Sequence, residues 1–226
     1  MSKWIEFFIE SLPALYQGAL ITIQLTLVGL ALGIVIGLPA AIARVYGRGW
    51  IRRLAVAYIE IFRGTPVLVQ LFVVYHGLPD VGIVFSRLGA AYLVLGLNSG
   101  AYQAEYFRGA IQAVGSGQMM AARSIGLSRI QAIRYIILPQ ALRMVLPAWS
   151  NEPIALMKAS AIAFLIAVPD LMTEGKIIAA HTYRPIDSYL SVALIYLVLV
   201  FLLARLLQSF ETRLQLPGLE MEAQRT

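Results

Sequence analysis

Long apolar runs, each close to the length of a bilayer crossing, alternate along this chain with short polar segments rich in arginine. A helix needs about 20 mostly apolar residues to cross roughly 30 Å of hydrocarbon. By that measure the pattern predicts five crossings, at 18–43, 54–78, 88–112, 150–171 and 188–208. The first is the cleanest, because nothing between Glu10 and Arg44 is charged. Ahead of it, Trp4, Phe7, Phe8 and Leu12 recur at helical spacing, which predicts an interfacial amphipathic helix over 1–16. Glu6 and Glu10 fall where a signal peptide would have its apolar core.

Between the third and fourth runs, the segment from Ser116 to Asn151 reads as two short helices rather than a plain loop. Ser116 is expected to cap the first helix, which runs through Ser124. Gly126 is placed to end it in a left-handed conformation, with Leu127 as the accompanying apolar contact. Ser128 with Gln131 makes a capping-box pattern for a second helix that is expected to stop at Leu138, before Pro139. Such a hairpin is either a surface feature of its own or a docking element for a soluble partner.

Composition confirms the setting. Apolar residues make up 59% and charged residues 13%, against roughly a quarter charged in globular domains, and the mean hydropathy is +0.76. The expected class is an all-α integral membrane protein of one domain, with a polar tail over 211–226. There is no cysteine, and His76 and His181 lie far apart in sequence, so no metal site is expected. The net charge of +6 is spread over connections between apolar runs, which fits membrane topology and not a nucleic-acid surface. Arg44, Arg48, Arg52 and Arg53 follow the first run, and Arg123, Arg129, Arg134 and Arg143 follow the third; the other connections hold only Arg87, Lys176 and Arg184. The positive-inside rule then puts the first connection, the hairpin and the C-terminal tail in the cytoplasm, with the N-terminus outside. No phosphate-cradling G-x-x-x-x-G-K-[ST] loop occurs, and no nucleophile sits with a base, so neither ATP hydrolysis nor other catalysis is expected of this chain itself.

Ionisable and helix-breaking residues within the runs are the candidate functional positions, since a charge in hydrocarbon costs a few kcal/mol even on lenient scales. Arg63 stands before Gly64, Thr65 and Pro66, where the helix should kink. Thr65 before Pro66 reads as the cap of a new half-helix whose positive end faces the bundle. This arrangement suits a ligand carboxylate, or else Arg63 simply pairs with Glu60. Asn98, Ser99 and Gly100 interrupt the third run and offer either ligand contacts or close helix packing. Glu105 and Arg108, three apart, read as an ion pair within one helix. Lys158, among Ile154, Ala155, Leu156 and Met157, should face a pore. Glu152 either binds an amino group or caps the helix end beside Asn151 and Pro153.

These segments carry a resemblance. GQMMAARSIGLSRIQAIRYIILPQA is similar to the cytoplasmic "EAA" loop of ABC transporter permeases. EIFRGTPVLVQL, NSGAYQAEYFRGAIQAV and NEPIALMKAS look like the polar amino-acid uptake branch of that superfamily. The resemblance implies a type I importer permease of the bacterial inner membrane that works as a homo- or heterodimer. ATP-binding subunits would dock below it, carrying ATP and magnesium, and an extracytoplasmic solute-binding protein would deliver an amino acid from above. It also implies that Gln118, Met120, Ala121, Ala122, Gly126, Leu127 and Pro139 form the coupling element. Arg63, Thr65, Asn98, Ser99, Glu152, Lys158 and Ser160 are the candidate substrate contacts. Two departures stand out. Met120 occupies the glutamate position of the loop, and Ala159 occupies the acidic position after Lys158, which favours an acidic or neutral polar substrate. The competing expectation is a stand-alone transporter or channel with Arg63, Lys158 and Glu152 as an ion relay.

Overall fold

The computed structural model describes residues 2–214, with side chains for 3–210. Its helices are α1 (Ser2–Tyr46), α2 (Gly49–Gly64), α3 (Val67–Phe72), α4 (Arg87–Ala113), α5 (Ser116–Ser124), α6 (Arg129–Ala132), α7 (Leu138–Met144), α8 (Leu146–Trp149), α9 (Asn151–Ala159), α10 (Leu171–Thr182) and α11 (Pro185–Leu214). Among the described residues there is no strand. Two helical stretches are long and apolar enough to cross a membrane, Lys3–Tyr46 and Pro185–Phe210. Two bent pairs pass the same test when each is taken as one span: Gly49–Gly64 with Val67–Val81, bent by 105°, and Leu146–Ile166 with Leu171–Thr182, bent by 50°. α4 is long enough, but its polar positions keep it below that apolarity because it is the central helix and turns them toward protein.

The expected interfacial helix over 1–16 is not separate: α1 runs through it without a break. Its first turns are fixed by tertiary packing, with Phe7 and Leu15 buried, Leu15 and Ala19 clustered with Leu171 and Val192, and Arg184 lying 4.6 Å over the Phe7 ring. The fourth run also differs from the expected 150–171. α9 tightens into a 3-10 segment at Ser160–Ile166, Ala167 adopts φ +54°, and α10 restarts behind Asp170, whose carboxylate accepts from the Thr173 amide at 2.9 Å. Most of the expected tail, 215–226, lies outside the described residues, and α11 extends over 211–214.

The most extensive helix contact is between α1 and α4, and glycines make it possible. Gly29, Gly33 and Gly37 line one stripe of α1, and Gly96 and Gly100 line the facing stripe of α4. A methyl group on Gly37 would sit 2.6 Å from the Gly100 carbonyl oxygen, and one on Gly96 would sit 2.7 Å from Leu32 Cβ; on Gly33 it would overlap the Gln103 amide. Lipid tails are as apolar as leucine, so membrane helices associate through such close packing and through polar contacts. Gly33→Val or Gly37→Leu should therefore destabilise the protein by about 1–3 kcal/mol, seen as a lower unfolding midpoint in detergent. Gly109→Ala, where added carbon meets nothing within 4 Å, should be neutral or slightly stabilising.

Candidate functional site

The chain breaks at Pro66 for the reason expected: proline has no N–H to give the Phe62 carbonyl. That carbonyl is served instead by two side-chain amides, Asn98 Nδ2 at 3.0 Å and Gln70 Nε2 at 2.9 Å. Gln70 also donates to the Thr65 carbonyl and hydroxyl, each at 3.0 Å, and accepts from Asn98 at 3.2 Å. Thr65 is not the cap of α3, since its hydroxyl turns back to donate to the Ile61 carbonyl at 2.7 Å and Pro66 holds the cap position without a side-chain bond. Thr65 and Asn98 therefore meet at the break, joined by Gln70.

The third run is not interrupted, because α4 passes through Asn98, Ser99 and Gly100 as continuous helix. Polar side chains survive there because neighbouring elements satisfy them. Trp149 Nε1 donates to Gln103 Oε1 at 2.9 Å; Gln103 Nε2 donates to Ser99 Oγ at 2.9 Å and to the Leu30 carbonyl at 3.2 Å; Ser99 Oγ donates to Glu152 Oε1 at 2.7 Å. Ser99 and Gln103 are fully buried and Glu152 is 5% exposed. The chain of donors from Trp149 through Gln103 and Ser99 ends on the carboxylate, which is buried against α4.

At the other end of α4, Glu105 gathers cations from three helices. Arg44 of α1 lies at 2.9 Å, Arg108 of α4 at 3.0 Å and Arg63 of α2 at 3.7 Å. The expected Glu105–Arg108 pair is present within a larger hub. Arg63 pairs with Glu105 and not with Glu60, which takes Arg44 at 3.3 Å, and its guanidinium also covers the Tyr102 ring at 5.3 Å. Lys158 stands apart, exposed on α9 at a cavity of about 380 Å³ that Met172, Tyr189 and Tyr196 also line. Among the described residues no carboxylate pairs with it. Ser160, next but one, is buried and donates to the Met157 carbonyl at 2.8 Å. Arg63, Glu152 and Lys158 thus occupy three settings, and among the described residues no hydrogen bond or ion pair joins any two of them. Sequence reasoning missed Gln70, Gln103 and Trp149, whose amides and indole complete these networks.

The hairpin forms much as its capping residues dictate. Ser128 and Gln131 complete both bonds of the capping box, at 2.8 and 3.3 Å. Gly126 takes φ +89°, and the Leu127 amide closes onto the Ala122 carbonyl at 3.1 Å. Two details differ. Gly115, at φ +80°, holds the cap position of α5, so Ser116 is its first helical residue and does not cap it. Pro139 does not end the second helix. A π-helical segment at Ile133–Ile137 precedes it, and Pro139 falls in the first turn of α7, where a missing N–H removes no bond. Ala122, Ala132 and Ile137 bury this hairpin against the bundle, and Arg129 lies 5.4 Å over Tyr46 at the end of α1. Gln118, Ala121 and Pro139 are exposed; so is Met120, at 64%, along with Ile125 and Ile130 at 78% each.

Residues 33–216 match the model of a family described as the binding-protein-dependent transport system inner membrane component. The chain belongs to that family. It is 38% identical over 209 residues to the glutamine transport system permease protein GlnP of Escherichia coli (strain K12), covering 91% of this chain and 95% of that one. It is 43% identical over 188 residues to the probable amino-acid ABC transporter permease protein YckA of Bacillus subtilis (strain 168), covering 83% of each. A crystal structure of an amino acid ABC transporter with histidines superposes with a TM-score of 0.83 at 40% identity, over 91% of this chain and 96% of that one. The MetNI methionine ABC transporter, at 23% identity and a TM-score of 0.76, shares the fold. In this inner-membrane family member, every side chain of the break, the relay and the Glu105 hub lies within the matched region.

The hub yields a test of its own. Glu105, with its side chain 15% exposed, is the common anion for three arginines, so Glu105→Gln should cost about 2 kcal/mol, read as a lower thermal midpoint in detergent. Glu60→Gln, on a side chain 60% exposed, should shift it by less than about 1 kcal/mol.

Proposed function

We propose that this chain is a permease subunit of an ATP-driven importer that moves an amino acid across the inner membrane. The observation that carries the proposal is the hairpin: Met120, Ile125 and Ile130 are exposed among polar side chains on short helices whose Ala122, Ala132 and Ile137 are buried against the bundle. A rigid protrusion of that kind suits a motor that turns one body against another. In this reading the chain crosses the bilayer five times, with its N-terminus outside and its C-terminus in the cytoplasm. Gln118, Met120, Ala121, Gly126 and Leu127, with Pro139, meet an ATP-binding subunit that carries ATP and magnesium, while Ala122, buried against the bundle, supports them from behind. A second permease completes the pathway, and an extracytoplasmic binding protein supplies the substrate.

The relatives named for glutamine and for amino acids support the substrate class. Lys158 is the substrate contact the geometry favours, being exposed at a cavity beside Tyr189 and Tyr196 without a carboxylate partner. With Ala159 beside it in place of an acidic residue, Lys158 is left to meet a substrate carboxylate, and the preference is for an acidic or neutral polar amino acid. Arg63, Thr65, Asn98, Ser99, Glu152 and Ser160 act in this reading as supports that shape the pathway more than as direct ligands.

Ligand-stimulated ATP hydrolysis by the reconstituted complex, screened across amino acids, is the direct test. Lys158→Ala should raise the half-maximal ligand concentration roughly tenfold or more, the value of one charge-assisted hydrogen bond; an unchanged value removes Lys158 from the site. Met120→Glu should change the retention of the ATP-binding subunit in a pull-down, because it restores a carboxylate where methionine offers only soft packing. Equal retention of both forms would show that position 120 has no part in docking.

A further inference from the structure

The corner that joins α1 to α2 carries a charge pattern that the Glu105 hub does not use. No carboxylate occurs between Glu10 and Glu60, so Arg48, Arg52 and Arg53 have no local anion. All three are exposed, and among the described residues none enters an ion pair, whereas Arg44 has two. Apolar side chains are interleaved with them: Trp50 is 69% exposed, Leu54 60% and Ile51 46%. Further along α2, Ala55 and Ile59 are buried in the bundle. The helix is thus anchored from Ala55 onward, while the corner and first turn ahead of it, Arg48 to Leu54, leave their arginines and tryptophan exposed.

We propose that this corner binds the headgroups of anionic phospholipids, with Arg48, Arg52 and Arg53 on the phosphates and Trp50 at the boundary with the acyl chains. The complementarity is chemical. Guanidinium groups match phosphate oxygens in pairs, tryptophan favours the interface because its ring is apolar and its N–H polar, and clustered basic residues just beyond a membrane helix draw anionic lipid. The leaflet is the one on the hairpin side, because Arg129 on Tyr46 places α6 beside this corner. The hairpin mixes exposed Met120, Ile125 and Ile130 with exposed polar side chains such as Gln118 and Arg123, whereas the corner concentrates three arginines around one tryptophan. This inference rests on the chain spanning a bilayer and is independent of what the importer carries.

The test reconstitutes the full chain in nanodiscs with phosphatidylcholine and phosphatidylglycerol, one or the other brominated on its acyl chains. The Trp50 component of the fluorescence is taken as the difference between the parent protein and Trp50→Phe. Brominated phosphatidylglycerol should quench that component about fivefold more than brominated phosphatidylcholine at equal mole fraction, the factor expected of one basic residue near an anionic surface. The excess should fall with added salt and disappear in the triple variant Arg48→Gln, Arg52→Gln, Arg53→Gln. Equal quenching by the two lipids overturns the proposal, as does an excess that survives the triple substitution. If the triple variant is not recovered, the pair Arg52→Gln, Arg53→Gln and the salt titration decide in the same way. Amino-acid-stimulated ATP hydrolysis in the same discs, with the ATP-binding partner added, reports on the transport reading separately: its absence with lipid selectivity intact refutes that reading alone.

Discussion

Close contact between the backbones of α1 and α4 sets where nearly every polar group of this protein sits. In hydrocarbon no water drives two apolar helices together, so a tight pair must come from small residues and matched polar groups. Gly33 and Gly37 on one side and Gly100 on the other supply the first requirement. The Gln103 amide on the Leu30 carbonyl, at 3.2 Å, is an instance of the second. Once the two helices are seated, α4 stands at the centre and its polar residues fan outward by height: Asn98 to the break at Pro66, Ser99 and Gln103 to Glu152 and Trp149, and Glu105 to the arginines.

That arrangement makes α1, α2, α4 and the start of α9 a single mechanical body. Three independent polar networks cross its seams, and each would leave an unsatisfied group in a low-dielectric interior if the helices slid apart. The hairpin is joined to the same body through Ile137 and Ala141, which share one cluster with Ile59, Ala104 and Phe107. A push on the exposed face of α5 and α6 therefore arrives at α4 with little flexible chain between them. The π-helical segment before Pro139 serves the same end, since it carries helical chain past a proline that would otherwise stop it.

What the sequence made legible was local. The capping box at Ser128, the left-handed Gly126 and the break at Pro66 each depend on a few adjacent residues, and each formed. The failures came where distant chain supplied the missing bond. Asn98 and Ser99 look like helix breakers in a string of letters, yet Phe62, Gln70 and Glu152 satisfy them and α4 stays whole. Phe7 looks interfacial together with Trp4, Phe8 and Leu12, yet it is buried beneath Arg184, and Leu15, further along the helix, packs against α10 and α11. Ala167 gives no hint of its positive φ, because alanine is not a turn residue and only the packed 3-10 segment ahead of it imposes the conformation. The glycine stripe was the one long-range signal available in advance: residues 29, 33 and 37 recur every fourth position.

Among the candidate site residues, the satisfaction of polar groups sorts those bonded within the chain from the one that is not. Glu152 is bonded within a buried relay, Arg63 is shared between Glu105 and the Tyr102 ring, and Thr65 and Asn98 repair the backbone that Pro66 leaves open. Each has its partner inside the chain, so each contributes to holding the fold whether or not a ligand is present. Lys158 differs, since among the described residues it has neither a carboxylate nor a ring against it. An ammonium group carried on an apolar helix without an internal partner is costly in hydrocarbon, so compensation for Lys158 has to come from outside the described residues. That need is why the proposed substrate contact falls on Lys158 and not on residues whose partners lie within the chain.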